Sequence, residues 1–279
     1  MSRPEAAAVA EYILPRDETE RDRLEVQHRL IVSLYDGDVV LPVYKPSPGD
    51  HILDCGTGTG IWILELAKSY PSSVTFTGID ISSHHFPSAP PSNTSFEVRS
   101  ILNIPDEWKN KFSLVHQRLL ILGLKAEHWP TTLQIIHRIT KPGGCIQLGE
   151  LGKVISGPAT ARLESMNSAW FSKHGFLRDC VERIPSMLEA LGFVDIDVRK
   201  VLMPVGRWAG QKGVLGQNNF MRSYKGALKR GFLRDGGYGV IRNEAEMDAL
   251  LEAVKQEWDV TEGSGVEYFT FVARKPKTE

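Results

Sequence analysis

Apolar residues recur along this chain with two different periods, and the switches between them outline its elements. In residues 17–35, Leu24, Gln27, His28, Ile31, Leu34 and Tyr35 follow the 3.6-residue repeat and share one face, with Arg21, Glu25 and Arg29 opposite. The spacing predicts a first helix capped at Asp17, with Glu20 three residues on, and it sets Gln27 and His28 at the border of the buried side. A turn-rich stretch, 42–49, precedes the short apolar run 51–55, which predicts a strand. Gly56-Thr-Gly-Thr-Gly60 follows, and residues 61–70 return to a helical pattern. Strand, glycine turn and helix open a βαβ unit. Further strands are predicted at 74–79, 96–101, 112–116 and 145–148, with a helix over 129–139 between the last two. Short strands alternating with helices predict an α/β fold with a doubly wound, mainly parallel sheet.

Beyond Glu150 the texture changes. Helices are expected over 159–170 and 184–191, a strand within 193–205, and a last strand over 266–273. Between these two strands lies a long excursion. Its first part, 207–242, is glycine-rich and carries eight Lys or Arg against one acid, Asp235; its second part, 243–262, carries seven acids against one base, Lys255. The expectation is a helical cover at about 207–262, flexible where glycine is dense, whose two halves attract one another.

Composition narrows the function classes. With 279 residues, 42% of them hydrophobic and 24% charged, the chain can bury a sizeable core. A net charge of −1 supplies no basic field to recruit nucleic acid or an anionic membrane surface. Three cysteines without a Cys-x-x-Cys spacing argue against a disulfide framework or structural zinc, and the scattered histidines suggest no metal centre. The longest purely aliphatic run, 119–122, is far short of the ~20 residues of a membrane span. The amino terminus lacks the apolar stretch of a signal peptide, so a reduced, cytoplasmic setting is expected.

The glycine loop carries the chemistry. Backbone free of side chains lets a ligand approach closely, and the amide hydrogens at a helix start receive electron-rich groups. Asp80, ending the next strand, is positioned to accept both hydrogen bonds of a ribose diol. A dinucleotide site would need a third glycine where Ile61 stands, to bring helix and pyrophosphate together. Asp54, just before the turn, repels a pyrophosphate and suits an ammonium group. The arithmetic favours S-adenosylmethionine, which carries an ammonium, a ribose and no phosphate, over a nicotinamide cofactor.

Ile52-Leu-Asp-Cys-Gly-Thr-Gly-Thr-Gly60, Gly78-Ile-Asp-Ile81, Leu114-Val-His-Gln-Arg118 and Lys141-Pro-Gly-Gly144 resemble the successive motifs of class I S-adenosylmethionine-dependent methyltransferases. Tyr12-x-Leu-Pro-x-Asp17, Gln27-His28, Trp129-Pro130, Met203-Pro-Val-Gly-x-Trp208 and Phe271-Val-Ala-Arg-Lys-Pro276 resemble, more narrowly, the fungal methyltransferases of secondary metabolism. The resemblance runs from about Tyr12 to Pro276. It implies a Rossmann-like seven-stranded sheet whose last strand is antiparallel, an amino-terminal helical cap over the cofactor (residues 1–45), and a methyltransferase domain over 46–279. Cofactor contacts are implied for Asp54, Gly56, Thr57, Gly58, Gly60, Asp80, Ile81, Ser100 and Ile101, with Gln27 and His28 from the cap. Where the family commonly has an acid for the adenine amino group, this chain has Ser100.

His116, ending the fourth strand, is a candidate general base, or else a buried histidine tying strand to loop. Glu150, at the end of the fifth, is a candidate base or ammonium anchor. Arg118 and His174 are candidate acceptor-binding residues. The expected activity is methyl transfer to an O, N, S or C nucleophile of a small, aromatic or hydrophobic metabolite, by a monomer or homodimer. The alternative is a regulatory protein that binds the cofactor with little turnover.

Overall fold

The computed structural model describes residues 18–40 and 44–277. The expected cap at Asp17, the Tyr12 motif and positions 41–43 of the turn-rich stretch lie outside those residues. Seven strands form one sheet: β1 (His51–Cys55), β2 (Thr75–Asp80), β3 (Thr94–Val98), β4 (Phe112–Arg118), β5 (Thr140–Ile155), β6 (Val194–Pro204) and β7 (Gly265–Arg274). Their order is β3-β2-β1-β4-β5-β7-β6. β1 pairs in parallel with β2 and β4, and β7 runs antiparallel to both β5 and β6. The order reverses at β1 and β4, so the carboxyl ends of these two strands open the crevice where ligands bind in doubly wound sheets.

Around the sheet stand α1 (Glu18–Ser33), α2 (Ile61–Ser69), α3 (His128–Ile139), α4 (Pro158–Lys173), α5 (Cys180–Ala190), α6 (Gly210–Ser223), α7 (Lys229–Arg234) and α8 (Glu244–Val260). Trp129, Leu133 and Ile136 fall at i, i+4 and i+7 of α3, and all three are fully buried against Leu53, Val115 and Ile146 of the sheet. The opposite face holds Ile52 and Leu114 against Trp62 and Ile63 of α2. A third cluster, with Trp170, Phe232, Met247, Leu251, Trp258 and Tyr268, fills the space between the sheet's far edge and α4, α7 and α8.

Several boundaries differ from the expected ones: β4 runs two residues past His116 and α5 begins four residues early, at Cys180. β3 ends at Val98, so Ser100 and Ile101 lie in the loop beyond it: Arg99 N–H still donates to Asp80 O, and Asn103 N–H then closes a turn onto Ser100 O. β5 runs through Lys141-Pro-Gly-Gly144 and five residues past Glu150; a register shift between the pairings of Phe112 and Leu114 lets the strand carry a proline.

Residues 207–262 hold α6, α7 and α8, and the two charged parts meet within the chain: Arg207 reaches Asp259 at 3.3 Å, and Lys229 reaches Glu244 at 2.8 Å and Asp248 at 2.6 Å. The glycines here have a packing reason. Side chains at Gly213 and Gly216 would overlap the carbonyl oxygens of Gly206 and Pro204.

Candidate active site

Gly56, Gly58 and Gly60 have φ of 69°, 54° and 75°, a region that favours glycine. Backbone bonds hold the turn: the N–H groups of Gly56 and Thr57 both donate to Ile79 O, and Gly60 N–H donates to Thr57 O. Asp80 accepts Gly58 N–H at Oδ2, 2.9 Å, and Ser82 N–H at Oδ1, 3.2 Å. Burial pushes the Asp80 carboxyl above its ordinary range, against the pull of these N–H groups. The glycines differ in what lies over them. A side chain at Gly60 would come to 2.5 Å of the Phe96 ring and one at Gly56 to 2.6 Å of Leu120, whereas at Gly58 the only atom within 4 Å among the described residues is Leu24 Cδ1, at 3.7 Å. The open floor of the cradle is therefore Gly58. Asp54 and Asp80 flank it, so a pyrophosphate would meet two carboxylates. A cationic nucleoside with no phosphate fits this donor and acceptor set.

Asp54 and His116, 62 residues apart, meet because β1 and β4 pair with these two residues in register. Asp54 accepts Thr57 Oγ1–H at 2.7 Å and contacts His116 Nδ1 at 2.7 Å, with both acid and imidazole almost wholly buried. The imidazole stacks on Trp62, rings 3.9 Å apart and 3° from parallel. Desolvation lowers the His116 pKa although the Asp54 charge raises it, so the ring is neutral near pH 7. A neutral ring beside a carboxylate donates from Nδ1, which leaves Nε2 as its basic nitrogen.

His28 and Arg118 also come together. Arg118 Nη2 lies 2.8 Å from His28 Nδ1, and His28 Nε2 lies 2.8 Å from Glu65. A guanidinium only donates, so Nδ1 accepts and Nε2–H donates to Glu65. Burial and the Arg118 charge hold the His28 pKa down to about 4. Glu150 is fully buried, with its carboxyl pushed up to about 8; its oxygens accept Leu120 N–H at 2.7 Å and Ile121 N–H at 3.3 Å. It thereby fixes the turn after β4.

That turn separates the cradle from a cavity of ≈ 140 Å³. Leu119, Ile121 and Leu122 line the cavity together with Leu24 and Gln27 of α1, Glu164, Asn167 and Phe171 of α4, Phe220 of α6, and Tyr224. Leu24 thus touches both spaces. His116, Glu150, Arg118 and His174 are absent from the cavity wall. His174 directly follows α4, 2.5 Å from Asp235 and packed on Trp170. Ile81 directly follows β2, Ser100 Oγ accepts Leu102 N–H at 3.2 Å, and Ile101 is buried in the core beside them. Among the described residues no cluster of potential metal ligands occurs.

Sequence reasoning missed Trp62 as the support of His116, and it missed Leu24, Glu164, Asn167 and Tyr224. One signal was available. Glu164 and Asn167 are polar residues three apart, beside Leu163, Met166 and Trp170 on the buried face of a helix.

The methyltransferase-domain family matches residues 52–144, which hold β1 to β4 and the glycine loop. An N-methyltransferase of Leptosphaeria maculans, sirN, is 38% identical over 205 residues; the match takes in 73% of this chain and 66%, just under two-thirds, of that protein. The N-methyltransferase tcpN of Claviceps purpurea is 32% identical, over 65% of this chain and 68% of its own. Among solved structures, the mycolic acid cyclopropane synthase CmaA1 in complex with SAH and CTAB has a TM-score of 0.55 at 13% identity, covering 97% of this chain and 94% of its own, a likeness of fold alone. Nothing in these matches supports the nicotinamide or the regulatory reading. With the reversed last strand, the open glycine cradle and these relatives together, the chain belongs to the class I S-adenosylmethionine-dependent methyltransferases, in the group that includes the fungal enzymes of secondary metabolism.

Proposed function

We propose that this chain transfers the methyl group of S-adenosylmethionine to a nucleophilic atom of a small, largely apolar metabolite seated in the cavity between α1, α4 and α6. The observation that carries the reading is the shared wall: Leu24 lies over Gly58 on one side and lines the cavity on the other. Asp80 would hold the ribose, the Gly58 backbone the amino-acid portion, and the loop of Ser100 and Ile101 the base. The cofactor would supply an electrophilic methyl on a sulfonium. Alignment then provides most of the rate, since effective molarities of well-oriented reactions reach ~10⁵–10⁸ M.

His116, stacked on Trp62 and away from the cavity wall, holds Asp54 beneath the cradle, which favours the buried-histidine role over that of a general base. Glu150 positions the wall between the two spaces through the Leu120 and Ile121 amides. Arg118 and His28 clamp α1 onto the sheet, which supports residues 1–45 as a cap on the domain of 46–279, and 207–262 as its cover. The relatives' names favour nitrogen as the accepting atom. Three free, buried cysteines suit a cytoplasmic setting, and a monomer or homodimer that binds no nucleic acid is the simplest assembly. No helix among the described residues is long and apolar enough to cross a membrane.

Titration with S-adenosylmethionine, followed by transfer of labelled methyl to a panel of small aromatic amines, phenols and thiols, tests the reading. A folded protein that binds no S-adenosylmethionine would overturn it.

A further inference from the structure

The cavity is apolar along the β4 turn and polar along α4. There Asn167 Nδ2 lies 2.7 Å from Glu164 Oε1 and 2.6 Å from Tyr224 Oη. Glu164, itself 2.5 Å from the Arg178 guanidinium, presents a carboxylate that only accepts, so the Asn167 atom facing it is the NH₂ group. An amide nitrogen offers no lone pair. The Tyr224 oxygen must therefore accept from Asn167, and the tyrosine's own proton points elsewhere. Both Asn167 hydrogens are thereby used, and its Oδ1 is left over.

The remainder is one donor, the Tyr224 O–H, beside one acceptor, Asn167 Oδ1. Neither has a partner among the described residues. Both residues line the cavity, and each is only 6% exposed. Polar groups this buried are nearly always satisfied, so a leftover pair on a cavity wall points to a ligand. Charge narrows that ligand further. The two arginines in the wall are closed on carboxylates, Arg23 on Glu20 at 2.7 Å and Arg178 on Glu164, which leaves no open charge for an ionic group among the described residues.

We infer that the methyl acceptor is a neutral molecule whose apolar body fills the cavity and whose edge carries a hydrogen-bond acceptor next to a donor, received by Tyr224 and Asn167 as a pair. Carboxamides and hydroxy-ketones share that edge. The inference rests on the cavity being the acceptor site of the proposed methyl transfer. Burial makes the edge selective: an analogue lacking one of the two groups leaves a protein polar group desolvated and unpaired.

Four probes of similar size read this directly. Benzamide has both groups, acetophenone the acceptor alone, ethylbenzene neither, and benzoate a charge. Each is titrated by NMR against the protein with and without saturating S-adenosylhomocysteine. Benzamide should bind at least about tenfold tighter than any of the others. Tyr224→Phe and Asn167→Leu should each remove that preference while S-adenosylhomocysteine affinity is unchanged. Tyr224→Phe deletes one oxygen only, so the test survives if the second variant fails to fold. Equal affinity for benzamide and ethylbenzene, or a preference retained in folded Tyr224→Phe, overturns the inference. Loss of the methyltransferase reading would appear differently, as no binding of S-adenosylhomocysteine, and the titrations without it would still report on the wall.

Discussion

Gly58 and Gly60 stand two positions apart, share a left-handed φ, and serve different ends. At Gly60 a methyl group would press on Phe96, whereas at Gly58 it would enter the open floor under Leu24. Both Gly58→Ala and Gly60→Ala should lower stability by about 1–3 kcal/mol through backbone strain, and Gly60→Ala by more, because its methyl also meets the Phe96 ring. Gly58→Ala should leave a folded protein that binds S-adenosylmethionine at least about tenfold more weakly, a loss of roughly 1.4 kcal/mol. Thermal unfolding and calorimetric titration check the two, and normal affinity in Gly58→Ala would remove Gly58 from the cradle. Glu150 makes a prediction about pH. Its carboxyl, pushed up to about 8 from an ordinary 4.5, keeps a proton in the fold that the unfolded chain releases. Its contribution to stability is full below pH 4.5 and is lost as pH rises through about 8. His28, held down to about 4 from 6.5, acts in the other direction: its contribution is full above pH 6.5 and is lost as pH falls through about 4. Glu150→Gln should flatten the decline between pH 4.5 and 8 in urea midpoints. An unchanged decline would mean that Leu120 and Ile121 hold the acid ionised.

Between elements, the tightest joint lies where the chain leaves β6 for α6. Gly206 has φ +100°, and any side chain on it would overlap the carbonyl of Trp258, at the end of α8. Gly206→Ala should unseat α8, costing at least ~2 kcal/mol and lowering Tm by about 4–8 °C. An unchanged melting curve would mean that α8 can retreat without loss. This joint also marks where the sequence stops being readable. β1 was legible to the residue, because a strand buried on both faces is a continuous apolar run ending in a glycine turn. The passage of β5 through Pro142 was not, because a proline argues for a turn unless the register shift on β4 is known. Glycine density in 207–242 suggested flexibility, since close approach to Pro204 or Trp258 is a property of the folded chain. The site divides in the same way. Asp54, Asp80 and the glycines were legible because they lie within one βαβ unit. The cavity was not, because Leu24, Asn167 and Tyr224 come from three distant helices and carry no motif.

Across the whole molecule, α1 and the turn after it tie α6 to the glycine cradle, to α2 and to strands β4 and β7. Leu24 lies on the glycine cradle, Asn219 of α6 donates to Arg23 O at 2.8 Å, and Lys212 donates to Ser33 O at 3.1 Å. His28 bridges α2 to Arg118 of β4, and Tyr35, just past the helix, bonds Thr270 of β7 at 2.6 Å. A ligand that fills the space above Gly58 presses on Leu24, and Leu24 also forms the cavity wall. Binding in the cradle should therefore restrain the cover as well as the loop, by adding its free energy to every opening that exposes the site. Saturation with S-adenosylhomocysteine should slow amide exchange in residues 18–33 and 206–223, not only in 54–60 and 78–82. Asn219→Ala removes the link to Arg23, so its protection should stay strong in 18–33 and weaken in 206–223. Protection confined to the glycine loop and the end of β2 in the unmutated protein would mean that α1 and the cover open independently of the cofactor. The cavity would then be formed before the cofactor arrives, and acceptor affinity would be the same with and without it.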